Sequence, residues 1–222
     1  MKKLFTAIRK GDFVTVRTVL EKKPELLCCV ATPPPKKDAG QSLLQVALKC
    51  GQIEIAEYLI EKGADVNFIE ADDCGNEWRM PVIQDAINAA IMNSRWNTNN
   101  ELMGFKVFST EQKADRAYAV LERMLEKGAD LNKSDSYGNT GIWRACIQAQ
   151  QILPSMDRTT GGLGKYRIYT KELEADLSRI FRLLIRYGAD LIYVRPEIEQ
   201  TAYDFFDHPL IRALLTDGQG AQ

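Results

Sequence analysis

Three segments of the chain share one phrase: YLIEKGADVN (Tyr58 to Asn67), MLEKGADLN (Met124 to Asn132) and LLIRYGADLI (Leu184 to Ile192). Each starts as the end of an amphipathic helix and runs into a glycine, Gly63, Gly128 or Gly188. At such a position a positive φ closes the helix and lets its last carbonyls find donors. A recurring helix stop implies a recurring helical unit, and the rest of the sequence is best read against that period.

Ahead of each stop lies another helical segment: SLLQVALKCG (Ser42 to Gly51), PVIQDAINAA (Pro81 to Ala90) and TGIWRACIQA (Thr140 to Ala149). Ser42 and Thr140 offer capping hydroxyls, and Pro81 suits a first turn that needs no amide donor. The third residue of each is aliphatic (Leu44, Ile83, Ile142) and the sixth is alanine (Ala47, Ala86, Ala145). That spacing puts both on one helical face, where alanine lets a neighbouring helix approach closely.

Helix, turn, helix, glycine stop and an excursion ending in Gly-x-Ser/Thr resembles the ankyrin repeat. GQSLLQVA and GNTGIWRA look like its G-x-T-P-L-H-x-A element, and GADVN and GADLN like its usual ending. Worn copies flank the clear ones, at Leu4 to Leu27 with Gly11-Asp12 in the turn, and at Thr201 to Leu215. The resemblance implies an all-α fold, an ankyrin-repeat solenoid of stacked helix-turn-helix units with extended finger loops. It implies one domain over 1–222, with about five repeats at 1–27, 40–67, 79–132, 138–192 and 199–216. Gln45, Gln84 and Trp143 stand where the family has histidine. Glutamine keeps a donor and an acceptor, whereas Trp143 cannot accept, so its unit is expected to rely on packing.

The intervals between the stops are nearly twice the family length of about 33 residues. Two insertions account for this, 93–110 (NSRWNTNNELMGFKVFST) and 151–170 (QILPSMDRTTGGLGKYRIYT), each between the two helices of its unit. Stacking makes them neighbours in space. Their alternating runs, Phe105 to Phe108 and Lys165 to Tyr169, are expected to pair as short strands. Phe105 and Ile168 are assigned to packing, and Trp96, Phe108 and Tyr169 to a partner; energy alone does not separate core from contact for such side chains. Ser109 and Gln112 have capping-box spacing. Irregular stretches at 28–40 and 68–80 lengthen the first two fingers.

Composition narrows the function. A net charge of −1 provides no overall basic field for nucleic acid or an anionic membrane. Five cysteines without a C-x-x-C pair suit a reducing compartment, and the N-terminus lacks the pattern of a signal peptide, so the expected location is cytoplasmic. His208 is the only histidine and sits between Asp207 and Pro209 as a helix-capping residue rather than a base. TTGGLGKY departs from a phosphate loop, and EADDCGN lacks calcium-loop spacing. No cofactor and no metal are expected.

The family resemblance implies contact with other proteins through finger tips and the outward positions of the first helices. Carried over, it names Arg9, Lys10, Lys49, Asn88 and Gln148 on helices and Asp38, Ala39, Gln41, Ser136, Tyr137 and Asn139 on fingers, with Trp78 and Arg79 transferring loosely. Arg9, Lys10 and Lys49 make one end basic, which favours a partner with an acidic patch. The leading expectation is a non-catalytic protein-binding module, in its narrower form an immunity protein or inhibitor covering a toxin or enzyme. The competing readings are a small enzyme or ligand-binding protein whose site the insertions build, using Asp157, Lys165, Tyr166 and Tyr169, and a nucleic-acid regulator.

Overall fold

In the computed structural model, which describes residues 1–102, 104–157 and 159–217, Gly63, Gly128 and Gly188 hold φ of 92°, 83° and 84°. An L-residue in that region costs about 1–2 kcal/mol, which is why the phrase requires glycine. Met103 and Arg158, which fall in the two expected insertions, and residues 218–222 lie outside the described residues.

The helices pack as consecutive pairs. α1 (Lys2–Lys10) packs on α2 (Phe13–Lys22), α3 (Leu43–Lys49) on α4 (Ile53–Glu61), α5 (Val82–Met92) on α6 (Glu111–Glu126), and α7 (Gly141–Ile152) on α8 (Lys171–Arg186). First helices touch in the order α1, α3, α5, α7, and second helices in the order α2, α4, α6, α8. α9 (Ala202–Phe205) rests on α7, and α10 (Pro209–Asp217) on α7 and α8. One buried apolar cluster runs through all of these pairs from Leu4 to Leu215. A hairpin of β1 (Asn97–Asn100) and β2 (Gly104–Val107) fills the connection from α5 to α6.

Local chemistry explains most helix starts. Ser42 and Gln45 form a reciprocal capping box on α3. The long second helices are capped by Thr110, which accepts from the Lys113 amide, and Thr170, which accepts from the Leu173 amide. The expected cap at Ser109 is thus displaced by one residue, because Thr110 is the residue whose hydroxyl reaches the third amide of the helix. Thr140 also departs from expectation: it precedes α7, but its hydroxyl is buried and has no hydrogen-bond partner.

The repeated phrase also couples one unit to the next. Asp65 turns the chain by accepting from the Asn67 amide; Asn67 then donates to the Gly128 carbonyl and accepts from the Asp130 amide, at 2.9 and 2.8 Å. Asn132 repeats both bonds with Gly188 and Asp190. The third copy has Ile192 in that place, exposed to solvent. A parallel series runs along the first helices: Gln45 donates to the Met80 carbonyl and Gln84 to the Asn139 carbonyl. Trp143 ends it, fully buried with its indole nitrogen unpaired and its ring against Phe205 and Phe206. Packing therefore replaces the polar link at this position, as its sequence implied.

Candidate functional site

The two long connections meet. The Asn97 side chain donates to the Ile168 carbonyl at 2.8 Å and accepts from the Ile168 amide at 2.9 Å, doing for the sheet what a backbone pair would do. The Asn99 amide donates to the Tyr166 carbonyl at 2.6 Å. The pairing differs from the one expected, which set the run from Phe105 against the run from Lys165. Instead the asparagine-rich stretch becomes β1 and occupies the middle, with β2 on one side and the Lys165 to Ile168 run on the other. The second connection contributes an isolated bridge between Met156 and Leu163 rather than a strand pair.

This arrangement reverses the assignment of Phe105, Ile168 and Tyr169, and leaves Phe108 exposed as expected. Every residue of β2 is exposed, because β2 is the outer strand and stands clear of the helices. Phe105 and Ile168, assigned to packing, are exposed; Tyr169, assigned to a partner, packs against the core. Burial, and then the charges of Glu174 and Asp217, push the Tyr169 hydroxyl up to about 12. Trp96 is half-buried and stacks on exposed Phe108 with ring centres 4.3 Å apart. Lys106 and Arg167 approach the two rings at 5.2 and 5.8 Å, so the stack is flanked by cations.

A salt bridge that sequence reading missed anchors the platform. Arg95 grips Asp176 of α8 through its backbone amide and two guanidinium nitrogens, each at 2.9 Å, and Arg179 adds a further contact. Asp176 is buried and Arg95 half-buried, so the hairpin is tied to the second row of helices. Nothing in the local pattern marked this pair, which joins the first connection to α8 across 81 residues.

At the opposite ends of α5 and α7, about 16 to 18 Å away along helices of this length, the fingers join one another. Asp135 is the hub. It accepts from the Trp78 indole, the Arg144 guanidinium, the Tyr137 amide and both the amide and side chain of Asn139. Burial alone would raise its carboxyl; the bonds from Asn139, Trp78 and Arg144 outweigh that and hold it below the ordinary value. Trp78 lies over Arg144 and meets Tyr137 edge to face, leaving both aromatic rings partly exposed. Ser136 bridges to the previous finger through Arg79 and Glu77, while the Arg79 guanidinium pairs with Asp72.

Several expected contact residues turn out to be internal. Asn139 is buried between Asp135 and Arg195, and Asp38, Ala39 and Gln41 are buried as well, because these finger bases carry the links between units. Arg9 and Lys49 both point at buried Asp38, at 2.8 and 3.7 Å, so two of the three charges expected to make a basic end are engaged by a carboxylate of the chain itself. Lys10 stays exposed. Asn88 and Gln148 are half-buried, Asn88 with an unpaired buried oxygen and Gln148 beside Gln151.

The groups named for a catalytic alternative do not converge. Asp157 is consumed by a turn with Thr159 and Thr160, Tyr169 faces the core, and Lys165 and Tyr166 border an open recess of about 780 Å³ beside Asn99 to Leu102. His208 is buried and structural. Its Nδ1 accepts from the Leu210 amide, so Nε2 carries the proton and donates to the Pro154 carbonyl at 2.8 Å. Burial raises the Cys146 thiol far above its ordinary value, which leaves it unreactive. Among the described residues no helix is long and apolar enough to cross a membrane.

The chain matches no curated protein. Residues 39–68, which hold the first finger base, α3, α4 and the Gly63 stop, match the ankyrin-repeat family model. Ankyrin repeats generally mediate contacts between proteins, and the mostly helical architecture fits such a fold; together they support an ankyrin-repeat protein.

Proposed function

We propose that the chain is a non-catalytic protein-binding module, built as a solenoid of about five ankyrin repeats over 1–27, 40–67, 79–132, 138–192 and 199–216, with insertions at 93–110 and 151–170. It acts by occupying a partner protein, and in its narrower form it inhibits a toxin or enzyme by covering its active site. The observation that carries this reading is the exposure of Phe105, Phe108, Tyr166 and Ile168 together on connections locked to each other and to α8. A helical stack has no need of such residues, and large apolar groups held in water on a rigid frame are characteristic of contact surfaces. Trp78, Tyr137, Ser136 and Arg79 form a second, finger-side set of contacts, while Lys10, Asn88 and Gln148 contribute from the first helices.

Capture of the partner from native cells, followed by assay of its own activity with and without the chain, tests the reading. Inhibition on stoichiometric binding supports the narrower form. A captured partner whose activity is unchanged leaves a binding module and removes the inhibitor. Failure to retain any protein removes both.

A further inference from the structure

We infer that the free edge of β2 is a docking site for an extended segment of the partner protein, one carrying an acidic side chain between two apolar ones. The inference rests on the protein-binding reading and specifies its mode.

The hydrogen-bond register exposes the edge. The Phe108 amide donates to the Trp96 carbonyl, and Asn99 spends its own amide on Tyr166, away from β2. With Asn97 opposite Val107, Thr98 opposite Lys106 and Asn99 opposite Phe105, the alternation of an antiparallel ladder follows. Gly104 and Lys106 turn their backbone groups toward β1; Phe105 and Val107 turn theirs outward. Among the described residues the sheet has two strands, so those outward amides and carbonyls meet no third strand. A row of unpaired backbone groups is a template for strand addition.

Charge selects the occupant. The sheet and the run beside it carry Lys106, Lys165 and Arg167 against Glu101. Lys106 lies between Phe105 and Val107, at the centre of the free edge. A second copy of this chain, paired antiparallel so that both outward residues are used, would set Lys106 opposite Lys106, and like charges directly opposed are destabilising. A partner strand with Asp or Glu there gains what self-pairing loses, while its flanking apolar residues cover Phe105 and Val107.

The test uses the full chain and a phage-displayed library of random extended peptides. Selection is expected to enrich sequences with Asp or Glu between apolar residues. A synthetic peptide of the enriched sequence should slow amide exchange at Phe105 and Val107. Val107→Pro, which removes an outward donor and leaves the bonds to β1 in place, should weaken that peptide at least tenfold. Lys106→Glu, a surface change that preserves the fold, should reverse the charge preference. Peptides that bind with no response to either variant, or that protect the Trp78 and Tyr137 fingers instead, overturn the edge while leaving a protein-binding module. An empty selection overturns the edge outright, and so does dimerisation of the free chain that Val107→Pro abolishes.

Discussion

Asp85 shows how one residue in the first-helix row can tie stability to pH. It is buried in α5 with an unpaired carboxylate oxygen, and burial first, then the nearby charge of Glu70, push its carboxyl well above the ordinary range. Lys49 and Arg144 oppose that shift without cancelling it. The folded chain therefore keeps a proton that the unfolded chain releases near pH 4. Its stabilising effect is complete below the unfolded value and is lost as pH rises toward the raised folded value. Asp85→Asn has no such proton to lose, so melting curves recorded from about pH 4.5 to 8 should show the parent falling relative to the variant. A gap that stays constant across the series contradicts a buried, protonated Asp85. Asn97 presents a simpler case: Asn97→Ala removes both bonds to Ile168 and should cost about 1–2 kcal/mol in urea denaturation, with faster exchange of the Ile168 amide. Unchanged exchange there would mean that the two connections are held by other contacts.

Among the elements, the glycine-to-asparagine phrase is both a helix stop and a clamp. Asn132→Ala should cost about 1–2 kcal/mol, since it strips partners from the Gly188 carbonyl and the Asp190 amide. Ile192→Ala, the same position in the third copy, should stay within about 0.5 kcal/mol, because Ile192 is exposed and clamps nothing. Equal costs for the two would refute the clamp. This level of structure was legible in the sequence because it is local and periodic: Gly63, Gly128 and Gly188, the Ser42 cap and the buried alanines each announce themselves within a few residues. Neighbouring placement of the two connections was legible as well, since it follows from where they interrupt their units. Strand pairing within them was not. Alternating aromatics pointed to the Phe105 run as the partner of the Lys165 run, but Asn97 can mimic a backbone pair and so puts a polar stretch between them. Arg95 with Asp176, and Arg144 with Asp135, lie beyond any local pattern because each joins segments that only the fold brings together. Asn139 was misread for the same reason: its position in a family finger suggested exposure, while its side chain closes a network with Asp135 and Arg195.

For the molecule as a whole, the helical rows carry two sets of exposed aromatics at opposite ends of α5 and α7: the Trp78 and Tyr137 pair on the fingers and the hairpin platform on the connections. Apart from Trp96, which packs its buried half against the apolar core, both sets stand outside it, and the groups around the open recess do not assemble into reacting positions. The proposed account gives the hairpin platform the principal contact with the partner. Hydrogen exchange of the full chain, free and bound to its captured partner, tests that claim most directly. The account predicts protection concentrated in residues 96–108 and 163–168, with the helical core unchanged. Protection confined to the second helices, with the platform exchanging as it does in the free chain, would contradict it.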